Sequence, residues 1–546
     1  MITAFLDKKG TAMEKTIETQ VLVIGGGATG TGIARDLALR GVKLILIEKS
    51  DLNAGASGAN HGLLHSGARY VYTDAEAAME CLAEGSLLKQ IAPHCIEDTG
   101  GLFVAVSGDE EGYIADFPGL CQRSGIPCQS LNLKEVREME PCLSPNLIAA
   151  FGVPDAAIDP FKLSIENLND ALNRGGQYYD HARLESFIVE HHRIAGARIL
   201  NMETRELFVI KADIYVSATG AWADCVAARA GVHIPMVYSK GSLLVTGRRM
   251  ATRAINRLRH PSNGDILMPG GVVSILGTTS VRTASPDNLF PSVEEVDMII
   301  DQGEPMIPAL GHCRFIRAYS GVRPLVSAGG GDDRTVSRGF SLLDHARDGV
   351  DNFITITGGK LTTFRLMAER TSDMVCGKLG ISAACQTRDL ILPRTAGGGW
   401  TEPGVALGQK FFSRTKGDPL LCECEMVPAS AIDSLVSTIR KNWAKPDLLA
   451  IALRSRIGKG PCQGAFCSVR VLSHLYNQEE VEGPQGADGL RRFLNERWKG
   501  EHALLWGTVL GQSSLKEMIH CGLFCLELEP PYESGDQTGE PTGGQR

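Results

Sequence analysis

Gly25, Gly27 and Gly30, with Glu48 lying 18 positions beyond the last of them, have the types and spacing to hold a dinucleotide. In G-x-G-x-x-G the first glycine permits a tight turn and the second lets a pyrophosphate approach the backbone. The third lets a helix lie close to a strand. The first N–H groups of that helix, those of Ala28 and Thr29 among them, then face the phosphates with the helix dipole behind them. Glu48 is placed to accept the ribose hydroxyls of an adenosine and would repel the 2′-phosphate of NADP. A purely structural β-turn-α is the competing reading, and the flanking pattern disfavours it. Val21 to Ile24 is a run of apolar β-formers, a helical segment reaches Arg40, and a second apolar strand from Lys43 to Ile47 closes on Glu48.

Directly after this unit, residues 51–70 (DLNAGASGANHGLLHSGARY) are dense in glycine, serine and alanine. Small residues at that density let backbone come close to a flat cofactor ring. His61, His65, Arg69 and Tyr70 project from the stretch as candidate site residues, with a satisfied polar residue as the alternative for any one alone. Two further glycine turns follow apolar strands, at Ala218-Thr219-Gly220 and at Gly358-Gly359, and the second opens a helix.

A second constellation is made of thiols. Cys422 and Cys424 form C-x-C, a gap of 37 residues follows, and Cys462 and Cys467 form C-x4-C. Four thiolates suit a 2Fe–2S cluster. Zinc competes, although its sites more often use C-x2-C pairs, and unrelated thiols are the third reading. Helices predicted over Pro428 to Trp443 and Pro446 to Arg456 separate two short loops that can converge. The remaining cysteines of the 15 stand mostly singly in apolar surroundings, which fits a reducing, intracellular compartment.

The chain that must position these groups has 546 residues, enough for two to four domains. A net charge of −8 with no basic tract argues against nucleic-acid binding. Residues 1–17 lack the apolar core of a signal peptide, and Met13 is a second candidate start. No run approaches the roughly 18 apolar residues that span a bilayer, so membrane contact is expected to be peripheral or through a partner. The pattern predicts helices over 74–95 and 160–174, strands near 101–107 and 148–153, two strands within 195–220, and a β-rich stretch over 235–325. The expected fold class is α/β: a two-piece Rossmann-like nucleotide fold with a β-rich substrate domain and a small helical C-terminal cysteine domain. The expected organisation is an N-terminal extension (1–17), an oxidoreductase region (18–395) and a linker (396–419). A cysteine domain (420–475), a helical region (476–528) and a disordered tail (529–546) follow. Nucleotide-binding pieces are expected at about 18–75, 195–230 and 335–375, with substrate-binding insertions between them.

The blocks GASGANHGLLHSGARY, YSKGSLLV, DILMPGG…LGTTS, AYSGVRPL, VSRGFSLLDHARDG, ITGGKLTTFRLMAE and FLNERWKG, in this order, resemble the large subunits of anaerobic glycerol-3-phosphate dehydrogenases. That family belongs to the flavoproteins with a D-amino-acid-oxidase-like fold, and its cysteine domain is similar to bacterioferritin-associated ferredoxin. The resemblance implies non-covalent FAD and oxidation of sn-glycerol 3-phosphate to dihydroxyacetone phosphate. It also implies two kinds of partner, a flavin-containing B and an iron–sulfur, membrane-anchoring C, that carry electrons to a quinone. The chain would then sit on the cytoplasmic face of the inner membrane through its partners. Expected FAD contacts are Gly25, Gly27, Ala28, Thr29, Gly30, Glu48, Lys49, Ser57, Asn60, His61, Leu63, Ala218, Gly220, Gly358, Gly359 and Leu361.

For the phosphate the resemblance implicates Arg69, Arg323, Arg338 and Lys360, with Tyr70 and Thr362 as neutral donors. Arginine's planar fork suits phosphate oxygens, and lysine acts as a point charge. Arg323 and Lys360 are also expected in catalysis. His65 is the expected base, with His345 and His61 as competitors; an arginine that stabilises the alkoxide is a further alternative. No second G-x-G-x-x-G follows a strand, so no nicotinamide site is apparent. Two other readings stay open: a flavin dehydrogenase for a 2-hydroxy acid or amino acid, and a non-enzymatic iron–sulfur electron carrier.

Overall fold

The structure is a computed structural model, and it describes residues 15–326, 339–395, 398–441 and 445–526. Its first sheet has eight strands and grows around Lys15–Ile24. Val21 to Ile24 are buried on both faces, as an unbroken apolar run requires of a central parallel strand. Leu44–Ile47 and Leu207–Ser217 pair with it in parallel on either side, and Gln177–Tyr179 and Phe353–Gly358 extend the parallel set. Side chains alternate between faces. Val21 and Val23 pack with Ile33, Leu37, Leu168 and Met367 under three helices, Ala28–Leu39, Pro160–Asn173 and Phe364–Leu379. Leu22 and Ile24 face the other way, toward Tyr215, Val226 and Phe353. The Pro160–Asn173 helix and the Gln177–Tyr179 strand thus join the nucleotide sheet, although the sequence pattern assigns that stretch to an insertion. Leu168 and Ala171 give the helix an apolar face that packs on the neighbouring helix and the sheet.

The insertions build a second, nine-stranded sheet. Its longest pairing is antiparallel, between Met236–Thr246 and Phe315–Val326, in a register that sets Gly241 opposite Gly321 and Ser239 opposite Arg323. The helix Val293–Gly303 packs behind it and starts in a reciprocal capping box between Ser292 and Glu295.

Beyond residue 419 a short hairpin, Leu420–Cys422 with Val427–Pro428, leads into the helices Ala429–Lys441, Leu448–Arg454, Cys467–Asn477 and Gly483–Trp498. They share a core of their own that includes Ile432, Val436, Ile451, Val471 and Phe493. Polar contacts hold this unit to the flavoprotein-like part. Arg454 pairs with Asp51 at 2.6 Å, Arg456 donates to the carbonyl of Gly270 at 3.1 Å, and Arg317 donates to that of Arg497 at 2.8 Å. Among the described residues no helix is long and apolar enough to cross a membrane. The tail expected over 529–546 lies outside the described residues, as do 1–14 of the N-terminal extension and the start of the linker, 396–397.

Candidate functional site

The glycine turn between the first strand and helix has the geometry its spacing demands. Gly25 has φ of +110°, and a Cβ there would lie 2.6 Å from the carbonyl oxygen of Ala218, which ties the two predicted turns together. Gly27 caps the helix, and a Cβ on it would come within 3.0 Å of Ser57 Oγ, which accepts from the N–H of Ala28 at 3.0 Å. Gly30 lies against the carbonyl of Gly25, so helix and turn are in contact. Glu48 accepts from the N–H groups of Gly26 (2.7 Å) and Ser50 (3.0 Å), and burial raises its pKa despite them.

Gly25, Gly27, Ala28, Glu48, Ser57 and Ala218 line a cleft of about 620 Å³, within the range of cofactor and substrate sites. The nucleotide sheet and its turns supply Gly25, Gly27, Glu48, Gly220 and Gly358; the nine-stranded sheet supplies Gly241, Leu243, Gly321 and Arg323. Arg69, Arg323 and Lys360 are among the cations that line the same cleft. Arg69 is paired with Asp265 at 2.9 Å, and Asp265 also holds Arg259 and accepts from the N–H of Ser262. Arg323 donates to Thr278 Oγ1. Lys360 Nζ sits 4.9 Å from the centre of the Tyr70 ring.

Tyr70 Oη lies 3.3 Å from His65 Nε2, and the N–H of His65 donates to Thr362 Oγ1 at 3.1 Å. His61 stands edge-on to His65 with ring centres 6.4 Å apart, and its Nδ1 is buried without a hydrogen bond among the described residues. Both imidazoles are held neutral. Burial, then the charges of Arg69 and Arg323, push His61 down to about 3. Burial, then His61, Arg69 and Lys360, push His65 well below its ordinary value. The cleft therefore pairs positive charge with a neutral nitrogen base, a combination suited to an anionic alcohol.

Away from the cleft, the four cysteines converge. Cys422 interacts with Cys424 and Cys467, and Cys462 interacts with the same two, closing a ring of thiols. Cys422 and Cys462, each receiving hydrogen bonds from both of the others, are pushed down, and Cys424 and Cys467 are pushed up. Among the described residues no group of three or more His, Cys, Asp or Glu is arranged around one metal-ion position.

Residues 20–374 match the model of the FAD dependent oxidoreductase family. The chain belongs to this family. It is 42% identical over 547 residues to the A subunit of anaerobic glycerol-3-phosphate dehydrogenase from Escherichia coli K12, covering 94% of this chain and 99% of that one. The corresponding A subunit of Haemophilus influenzae is 39% identical, with 96% of each chain covered, and the A1 subunit of Haloferax volcanii is 38% identical, with 94% and 92% covered. Among solved structures, the glycerol-3-phosphate dehydrogenase of Bacillus halodurans in complex with FAD superposes with a TM-score of 0.56 at 21% identity. It covers 93% of this chain and 91% of its own. The L-proline dehydrogenase of P. horikoshii reaches the same TM-score at 20% identity, covering 68% of this chain and 96% of that one. At such identities these two show the shared fold.

For an FAD-dependent oxidoreductase the fit of the cofactor can be tested on the glycines. The bare backbone of Gly25 and Gly27 on the cleft wall, the helix N-terminus behind them and the carboxylate of Glu48 in the same wall suit a dinucleotide. Of the residues expected to contact FAD, all line the cleft except Gly30, which packs beneath the turn. Arg69, Tyr70, Arg323, Lys360 and His65 line it as well. Thr362 is buried behind His65 and steadies its backbone, so it does not reach the cleft as a donor. Arg338 lies outside the described residues.

His345, expected as a competing base, is not brought to the cleft. Its Nδ1 is 2.7 Å from Asp348, its Nε2 is 2.9 Å from Thr355 Oγ1, and its ring stacks on Phe353. With both nitrogens occupied inside the core, it has none to offer a substrate. Sequence reasoning missed Asp265, Thr278 and Gly241, and also Trp222, whose ring lies 3.9 Å from Lys49 Nζ and whose indole donates to Asp287. Only Gly241 carried a local signal, a glycine inside a strand pattern, which marks close approach of another group.

Proposed function

We propose that this chain is the catalytic component of a dehydrogenase that oxidises sn-glycerol 3-phosphate to dihydroxyacetone phosphate. The observation that carries the reading is the grouping of Arg69, Arg323 and Lys360 around the His61–His65–Tyr70 cluster in the cofactor cleft. Kinship with the large chains of glycerol-3-phosphate dehydrogenases selects phosphate over carboxylate as the anion. FAD, when bound, supplies the hydride acceptor at N5. Arg323 and Lys360 bind the phosphate dianion, and Arg69, already paired with Asp265, adds field more than contact. His65 Nε2 takes the hydroxyl proton in place of its contact with Tyr70 Oη, while the hydrogen on carbon 2 leaves with its electron pair. Neutrality of His65 keeps that nitrogen's lone pair available.

The test is an anaerobic absorbance spectrum before and after adding sn-glycerol 3-phosphate. Rapid loss of the flavin band near ~450 nm is expected. A band that persists with this substrate but bleaches with a 2-hydroxy acid or an amino acid would overturn the substrate and keep the cofactor.

The ring formed by Cys422, Cys424, Cys462 and Cys467 supports a 2Fe–2S cluster, because four converging thiolates are its usual donor set. Electrons would leave through that centre and through partner chains, a flavin-containing B and an iron–sulfur, membrane-anchoring C, to a quinone. The relatives are each named as one lettered component of a dehydrogenase, which supports a multi-subunit assembly. Attachment to the cytoplasmic face of the membrane would then come through those partners. In this reading residues 18–395 form the oxidoreductase and 420–475 the cluster domain, followed by a C-terminal helical region.

A further inference from the structure

Gly241 is a costly choice inside a long strand, where glycine contributes no packing and loses the most backbone entropy. Its φ is not in the left-handed region, so the backbone does not demand glycine there. Space does. A Cβ on Gly241 would lie 2.7 Å from Nη2 of Arg323 and 3.0 Å from both its Cζ and its Nη1. Near-equal distances to three atoms of one flat group mean that the guanidinium lies over the position a side chain would take. The register explains the meeting. Arg323 is opposite Ser239, so Gly241 is its diagonal neighbour on the same face of the sheet. Thr278, from the loop after the neighbouring strand Val273–Gly277, accepts from Nη2 and closes the berth.

The cross-strand partner of Gly241 does a different task. A Cβ on Gly321 would meet the carbonyl oxygen of Ala59 at 2.6 Å and its Cβ at 2.8 Å. The cofactor-lining loop is therefore seated on one glycine of the pair and the arginine on the other.

We infer that Gly241 and Thr278 are positioning residues that set the place of the Arg323 guanidinium and so determine specificity for a phosphorylated substrate. The inference rests on the reading of Arg323 as a phosphate ligand. The atoms that a new side chain would meet are the far end of a flexible arginine. Gly241→Ala therefore displaces the guanidinium and leaves the strand in place.

The experiment uses the FAD-loaded full chain and steady-state kinetics with sn-glycerol 3-phosphate and with glycerol. Gly241→Ala should raise KM for the phosphorylated substrate about tenfold or more, with flavin content and kcat within about twofold of the parent. Thr278→Val should raise it about threefold to tenfold. The preference for sn-glycerol 3-phosphate over glycerol, as the ratio of kcat/KM values, should fall in both variants, because glycerol has no phosphate to lose. In an Arg323→Ala background, Gly241→Ala should add nothing, because both changes remove the same contact. An unchanged KM in Gly241→Ala or Thr278→Val, or additive effects in the double variant, would overturn the inference while Arg323→Ala still raises KM. If Arg323→Ala itself leaves KM unchanged, the phosphate reading of Arg323 fails, and the inference with it. Should Gly241→Ala not fold, Thr278→Val alone decides the outcome.

Discussion

Arg454 donates from Nη1 and Nη2 to the two carboxylate oxygens of Asp51, at 2.6 and 2.9 Å, across 403 positions of sequence. Asp51 stands three residues after Glu48, so the cysteine-bearing unit is fastened directly to the end of the nucleotide-binding motif. Burial alone would raise the Asp51 carboxyl, and Arg454 outweighs it, leaving the group ionised. Asp51→Ala leaves a largely enclosed arginine, its side chain 10% exposed, without its ion-pair partner. The expected loss of stability is about 3–5 kcal/mol, and Arg454→Met in the same chain should recover part of it. Denaturant unfolding of the single and double variants measures both.

Gly25→Ala combines a left-handed φ with a 2.6 Å approach to the Ala218 carbonyl. Substitution should cost about 1–3 kcal/mol and shift the turn that faces the cofactor. Purified protein should carry less than about a tenth of the parent's FAD by absorbance ratio, on the scale such a shift implies. Full flavin content would show that this turn does not hold the dinucleotide.

His61 supplies a pH signature. Its folded pKa is pushed down to about 3, against about 6.5 when exposed, so between these values the unfolded chain binds one more proton than the folded one. Stability from this residue is complete above pH ~6.5 and falls as pH drops, by at most about 1.4 kcal/mol per unit. Other groups titrate in the same window. The measurement is therefore the difference in unfolding free energy between the parent and His61→Gln at pH values from ~7 to ~4. The parent should lose stability faster on acidification. Parallel curves would mean that His61 is solvated.

Cys462→Ser breaks the ring of thiols at the residue that interacts with both Cys424 and Cys467. The absorption and the electron paramagnetic resonance signal expected of the proposed cluster in the parent protein should be missing from this variant. Anaerobic bleaching of the flavin by substrate should survive, since the cysteine unit has its own core. Loss of flavin reduction as well would show that the two units are not separable.

What could be read from the sequence was local. The glycine spacing, the unbroken run Val21 to Ile24 and the acid at position 48 are properties of one short stretch, and the structure places them as a βαβ unit requires. The helix starting at Pro160 was equally legible, but its partner was not, because an apolar face does not state which neighbour will cover it. His65 and His345 show the same limit. Both are histidines in glycine- or charge-rich turns, and only the fold distinguishes them. One lines the cleft beside Tyr70, and the other spends both nitrogens on Asp348 and Thr355.

The sequence by itself determined the nucleotide motif, the α/β class, the cysteine spacing and a central set of the residues that line the cleft. Only the tertiary structure decided how those residues are held. Arg69 meets its counter-ion Asp265 across 196 positions, and Arg323 rests on Gly241 through the register of two strands. The physical reason is that periodicity and spacing report the i to i+5 geometry of a single element. Charge pairing and close approach depend on which elements become neighbours, and that is set by burial of the whole chain.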